Sequence, residues 1–188
     1  TTISAACGVT RERVRQISQK LDENFSQYFQ FITEFMIENI NSYVSDLEAV
    51  TIVINPSLVS KINDLEQTKF NTLFCAKIFN ILSGGSHQVL GDEDLFCLIE
   101  YTRFRQKWKN CYLINSQIME KFDFKSLILD VFVRQKQRIE EDYSLHFKGY
   151  MWGFLKSSDN IDLDQIQVIL QPILFYELEV IIDNNGYL

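Results

Sequence analysis

Proline and glycine are scarce in this chain, two and seven among 188 residues, which excludes collagen-like and low-complexity organisation. No apolar run approaches eighteen residues, and no basic-then-apolar stretch opens the sequence, so neither a membrane span nor a secretory signal is read. Cations are in deficit: 18 Lys and Arg face 25 Asp and Glu, and the net charge of -7 argues against a protein that coats nucleic acid nonspecifically. Histidines number two, His87 and His146, and the four cysteines, Cys7, Cys75, Cys97 and Cys111, form no C-x-x-C pair. That excludes a recognisable zinc site, and scattered cysteines in apolar surroundings read as reduced, buried side chains of a cytoplasmic protein.

Catalytic signals are equally thin. Gly84-Gly85 lacks the trailing glycine and Lys-Ser or Lys-Thr of a phosphate-cradling loop, and Asp92, Glu93 and Asp94 lack calcium-loop spacing. Neither histidine has a nucleophile motif beside it. The expectation is therefore no enzyme, no metal and no cofactor.

What is present is a globular composition, 46% hydrophobic with fifteen phenylalanines, enough for a real core. Phe25, Phe29, Ile32, Met36, Ile40, Tyr43, Val44 and Leu47 recur every three or four residues and predict a long amphipathic helix over 26–48, open to continuity with the segment before it. Thr51-Ile52-Val53-Ile54 reads as a strand stopped by Asn55-Pro56, with Pro56 in the first turn of a helix over 56–64. Phe70, Leu73, Phe74, Ile78, Ile81 and Leu82 mark a further helix, ended by Ser83-Gly84-Gly85-Ser86 before a strand at His87–Leu90. In the second half, Leu127 to Ile139 and Phe147 to Leu155 predict two helices, and a third starts near Asp162 with a kink or restart at Pro172. Glu179-Val180-Ile181-Ile182 followed by Asp183-Asn184-Asn185-Gly186 reads as a hairpin.

A sixty-residue offset aligns Val53–Asn63 with Leu113–Asp123, sharing an Ile-Asn pair and a lysine. Duplication explains this, and so does any strand feeding a helix. The predicted fold class is mainly α: a partial helix-turn-helix followed by one or two winged-helix-like units with short β-hairpins. The divisions expected are 1–25, 26–95 and 96–188, the last ending in a hairpin.

Function speaks through one passage, Gly8-Val9-Thr10-Arg11-Glu12-Arg13-Val14-Arg15-Gln16-Ile17. The small, alanine-rich Thr2–Cys7 precedes it as a packing helix would, Gly8 supplies a positive-φ turn, and Thr10 caps the next helix. Arg13, not Glu, stands three residues on, so this is a plain cap. Val9, Val14 and Ile17 are expected on the buried side, with Arg11, Glu12, Arg15 and Gln16 outward. Residues 1–20 hold Arg11, Arg13, Arg15 and Lys20 against Glu12, a local +3, which leaves -10 on residues 21–188. A basic head on an acidic body would meet DNA through one end only.

The run from Val9 to Ile17 resembles the C-terminal DNA-binding region of bacterial RNA polymerase sigma factors, over residues 2–17. That resemblance implies a recognition helix in the major groove, with Arg11, Glu12 and Gln16 at base edges and Thr10, Arg13 and Arg15 toward phosphates, and with double-stranded DNA and RNA polymerase as partners. The chemistry agrees, since arginine pairs bidentately with guanine, glutamine with adenine, and glutamate accepts from cytosine. The chain departs from the family at Ser18 and Asp22, where a glutamate and a leucine are usual. It also opens at Thr1, without the preceding helices, so the expectation is a DNA-reading module of that ancestry and not a complete initiation factor. The alternative is a protein-interaction module in which the helix-turn-helix is vestigial. Oligomeric state is left open.

Two further charged stretches carry a milder reading. Tyr101, Arg103, Phe104, Arg105, Lys107, Trp108 and Lys109 interleave rings and cations, which suits base stacking or, better in an acidic body, cations lying over a buried aromatic stripe. Arg134, Lys136 and Arg138 before Glu140, Glu141 and Asp142 suit helix self-pairing.

Overall fold

The computed structural model describes residues 8, 10–40, 51–82, 84–92, 107–137, 146–157, 161–183 and 186. Helices dominate them: α1 (Arg11–Ile40), α2 (Pro56–Glu66), α3 (Thr72–Leu82), α4 (Ser116–Lys121), α5 (Phe124–Gln137), α6 (Phe147–Met151), a 3-10 turn (Trp152–Phe154) and α7 (Leu163–Leu178). Three short strands, β1 (Thr51–Ile54), β2 (His87–Leu90) and β3 (Cys111–Asn115), form one antiparallel sheet in the order β1-β3-β2. Thr51 lies opposite Ile114 and Ile54 opposite Cys111 on one side of β3, while His87 faces Asn115 and Leu90 faces Tyr112 on the other.

The central strand comes from the second half of the chain and both its neighbours from the first. Successive side chains of a strand point to opposite faces, so β3 serves two cores at once. Cys111 and Leu113 join Ile52 and Ile54 beneath Ile32, Met36, Val59, Ile62, Cys75, Ile78 and Phe79. Tyr112 and Ile114 join Leu90 on the other face, against Phe122, Leu127, Ile128, Ile169, Leu170, Ile173 and Leu174. Helices of the first half thus cover one face and helices of the second half the other, and Tyr112, Leu113 and Ile114 have no exposed surface.

Local chemistry sets the boundaries. Asn55 caps α2 by accepting from the Leu58 N–H at 2.8 Å, with Pro56 at the first helical position, where its missing donor costs nothing. Asn115 caps α4 in the same manner, accepting from Gln117 N at 2.9 Å. These caps sit at equivalent places of the sixty-residue repeat. Shifting each partner by sixty residues turns the Thr51↔Ile114 pair into Cys111↔Ile54, so the two strands meet in a locally two-fold way. The likeness ends at Phe122, which is extended and bridges Leu155, whereas α2 continues to Glu66.

The 26–48 helix proves continuous with the segment before it, the alternative left open, and begins at Arg11, so the boundary at 25 falls inside α1; residues 41–48 lie outside the described residues. Pro172 neither ends nor restarts α7, because Ile166, Ile169, Leu170, Ile173 and Leu174 bury one stripe across it. Removing one backbone donor costs less than exposing that stripe. The 180–183 segment forms no strand: Glu179 takes a left-handed conformation (φ 60°), Val180 N–H returns to Leu174 O at 3.2 Å, and Ile182 is buried on the core. Gly186 instead accepts from Phe147 N–H at 2.8 Å, and Asn184, Asn185 and Tyr187 lie outside the described residues.

Buried polar groups pin the layers. Glu177, 2% exposed on α7, accepts from Lys109 N (2.8 Å), Asn110 N (3.1 Å), Asn110 Nδ2 (3.0 Å) and Tyr112 Oη (2.8 Å). Burial first, and then the Glu177 charge, pushes the Tyr112 phenol far above its ordinary pKa. Between α5 and α6, the Asp130 carboxylate receives Tyr150 Oη and Arg134 Nε, and the Arg134 guanidinium lies 5.6 Å from the Tyr150 ring centre. Burial works to raise Asp130, but those two hydrogen bonds outweigh it and hold the carboxyl below its usual range. Gly91 (φ 105°) closes against β3 so tightly that a Cβ would stand 2.7 Å from Asn110 O.

Two measurements test this packing. Gly91→Ala should lower stability by about 1–3 kcal/mol, seen as a lower denaturant midpoint at unchanged slope; an unchanged midpoint would show that the loop yields. Burial raises the Cys75 and Cys111 thiols to about 11 and lifts Tyr112 and Tyr150 too. An unfolded thiol ionises near 9 while the folded one stays protonated, so stability present below pH 9 should fall as pH climbs from 9 toward 11. Unfolding titrations across that window would read it, and a flat profile would contradict the burial.

Candidate nucleic-acid interface

Thr10 caps α1 as expected: its Oγ1 accepts from Arg13 N–H at 3.2 Å and its carbonyl from Val14 N–H at 3.0 Å. Gly8 before it has φ 64°, the left-handed conformation that suits glycine, and a Cβ there would meet nothing within 4 Å. The turn is therefore a backbone requirement and not a packing one.

From Arg11 to Asn24 every residue is exposed except the half-buried Val14. Contact with the body begins at Phe25 and Phe29, whose rings are 4.9 Å apart, and Phe29 meets Phe70 at 6.2 Å and Phe74 at 5.6 Å. Ile32 and Met36 are the first fully buried residues of α1. At 1.5 Å per residue the helix thus stands about 21 Å clear of the body between Phe25 and Arg11. The expectation that Ile17 anchors this segment from behind is corrected, since Ile17 is 43% exposed; Val14 is half-buried, and Val9 lies outside the described residues.

All six predicted residues, Thr10, Arg11, Glu12, Arg13, Arg15 and Gln16, are exposed and fall within two turns. Glu12 is the hub. Arg15 donates Nε to its Oε2 at 3.0 Å and Nη2 to its Oε1 at 2.8 Å, and Gln16 Nε2 reaches Oε1 at 3.2 Å. The Arg15 hydrogen bond foremost, then that of Gln16, holds the Glu12 carboxyl below its ordinary value, and Glu12 in turn raises Arg15. Arg15 also touches Gln19 at 3.3 Å, and Arg13 reaches Gln16 at 3.5 Å. Arg11 takes no part in this network. The arrangement pre-orients Arg15 and Gln16 along one side of the helix and leaves Arg11 with its five donors free for an anion or a base edge. The first turn adds unsatisfied N–H groups and the positive end of the helix dipole.

The other stretches noted in the sequence resolve differently. Tyr101, Arg103, Phe104 and Arg105 lie outside the described residues, while Trp108 packs edge-on to Tyr112 at 6.0 Å and Lys109 pairs with Glu179 at 3.6 Å. Arg134 pairs with Asp130 four residues back at 2.7 Å; Arg138, Glu140, Glu141 and Asp142 lie outside the described residues. Among the described residues, no three His, Cys, Asp or Glu side chains are grouped to hold a metal ion, and no helix is long and apolar enough to cross a membrane. Sequence reasoning missed Glu177. Its signal was present, since it falls at the next helical step of the Ile166, Ile169, Leu170, Ile173, Leu174 stripe, where an apolar residue is due.

No protein-family model, curated protein or solved structure matches the chain.

Thr10→Ala removes a cap worth about 1 kcal/mol, so amide exchange in the first turn of α1 should rise about fivefold. The melting temperature should not change, because the arm buries almost nothing on the body. A fall of several degrees would mean the arm is packed.

Proposed function

We propose that the protein is a DNA-binding transcription factor related to RNA polymerase sigma factors, reading double-stranded DNA through the first turns of α1. The carrying observation is that the described part of the sigma-like segment from Thr10 to Ile17 is a capped helix clear of the acidic body, with all six polar residues exposed. A projecting α-helix fits the roughly 12 Å major groove. Arg11, Glu12 and Gln16 read base edges, and Thr10, Arg13 and Arg15 orient the helix on phosphates. Arg15 and Gln16 must exchange Glu12 for DNA, which suits a solvent-exposed pair of modest strength.

The described elements of 26–95 run helix, strand, helix, helix, strand, an order that supports a winged-helix-like reading of the first unit, with β3 of the following unit lying between its two strands. Its α3 buries Cys75, Ala76, Ile78 and Phe79 and exposes little basic surface, so in this reading DNA contact belongs to the α1 arm. RNA polymerase is proposed as partner on the resemblance alone.

A second reading, a protein-interaction module with the helix-turn-helix vestigial, is favoured by exposed apolar side chains on α1, where Tyr28 is 78% exposed, and on α7. Val168 (70% exposed), Phe175 (49%), Tyr176 (50%) and Ile181 (66%) crowd around Pro172 on α7 and the segment after it.

Selection from random duplexes, followed by gel shift, decides between them. An enriched motif is expected, with Arg11→Ala and Gln16→Ala each removing about 1–3 kcal/mol of discrimination at one base pair. Arg13→Ala should weaken all duplexes alike and lower the salt slope by about one. Failure to enrich any sequence overturns the DNA reading.

A further inference from the structure

Helix α1 carries two apolar stripes; the body covers the first, and of the second it covers only the Phe31 end, and that partly. Phe25, Phe29, Ile32 and Met36 pack on α2 and α3. A second series, Val14, Ile17, Leu21, Asn24, Tyr28 and Phe31, steps by three and four residues in strict alternation, the spacing of a heptad seam. Ile17 is 43% exposed, Leu21 61% and Tyr28 78%, while Val14 and Phe31 are half-buried. At 100° per residue this second stripe lies about 70° around the helix from the first. A surface helix that needs one stripe for its own core does not need the other, and three large apolar side chains in a row stay exposed without it.

Charge on the same helix runs from one sign to the other. Residues 11–21 hold Arg11, Arg13, Arg15 and Lys20 against Glu12, a net +3, whereas residues 22–38 hold Asp22, Glu23, Glu34 and Glu38 with no cation, a net -4. A parallel pairing would stack like on like. An antiparallel one sets each basic half beside an acidic half, and the heptad fixes the register. Val14 then meets Phe31 of the second copy, Ile17 meets Tyr28, and Leu21 meets Asn24. Beside that seam Arg13 faces Glu34 and Lys20 faces Gln27. Each contact occurs twice about an axis between residues 22 and 23, so the assembly closes as a two-fold dimer.

We propose that the exposed stripe of α1 binds the same stripe of a second copy of this chain, antiparallel, in the register Val14 to Phe31. Asn24 within the seam faces Leu21 and costs stability, which the two-fold repeat applies twice near the centre. Glu12, Arg15 and Gln16 project from the opposite side of the helix and stay outside the seam. The inference rests on spacing, exposure and charge and not on DNA binding, for which Arg13 would have to exchange Glu34 for a phosphate.

Sedimentation of the full chain, without DNA, tests it. The expected species has twice the 22.1 kDa chain mass, and it dissociates more readily as salt rises. Ile17→Glu and Leu21→Glu, both at exposed positions, should weaken association about tenfold or more with the circular dichroism unchanged. Arg13→Glu or Glu34→Arg alone should weaken it, and the two together should restore it, because the pair is reversed across the axis. A chain that stays monomeric at its highest soluble concentration, or a dimer indifferent to Leu21→Glu, overturns the proposal. A dimer that the combined exchange fails to restore overturns the antiparallel register.

Discussion

The carboxylate of Glu177 gathers two backbone N–H groups, an amide and a phenol at the point where the chain enters β3. A buried charge is tolerable only when donors surround it, and here the donors are those that would otherwise be left unpaired at the mouth of the central strand. The bond therefore works in both directions: α7 holds β3 in place, and β3 keeps α7 from presenting an unsolvated anion to the core. Since β3 pairs with β1 on one side and β2 on the other, the placement of the whole sheet follows from that one junction. Both cores hang from it, because alternate residues of the same five-residue strand line each of them.

Acidic and basic character are separated along a single helix. The body-facing end of α1 is fixed by phenylalanines and by Ile32 and Met36, and its polar side chains are acidic or neutral. The distal end is arginine-rich and buries almost nothing. Fold stability thus draws on the body-facing residues of α1, which lets the distal segment vary in charge with little penalty to the core. The Glu12 cluster moderates that charge locally, holding Arg15 and Gln16 in place while leaving Arg11 unengaged.

Much of this was legible in the residues. Asn55-Pro56 announced the start of α2, Thr10 the start of α1, and the β-branched Thr51–Ile54 a strand, because caps, a preset φ and branched side chains act within a few residues. The sheet order was not legible, since nothing local says that a strand at 111 will lie between strands at 51 and 87. The restart read at Pro172 and the strand read at Val180–Ile182 are absent for one reason: local propensity favoured them, and burial of the α7 stripe and of Ile182 overrode it. At the candidate interface, the order of polar residues foretold their common exposure, while the free standing of the arm was hidden. Periodicity reports that a face is apolar and not whether anything covers it.

Because α1 passes without interruption from the Phe29, Phe70 and Phe74 ring cluster to Thr10, the cluster acts as a fulcrum. Tilting the helix by ten degrees at Phe25 would carry Arg11 sideways by about 4 Å, roughly the rise of one base pair. Small adjustments among three phenylalanines would therefore be magnified at the tip. The aim of the guanidinium would be set from inside the hydrophobic core, by residues that never meet whatever the tip engages.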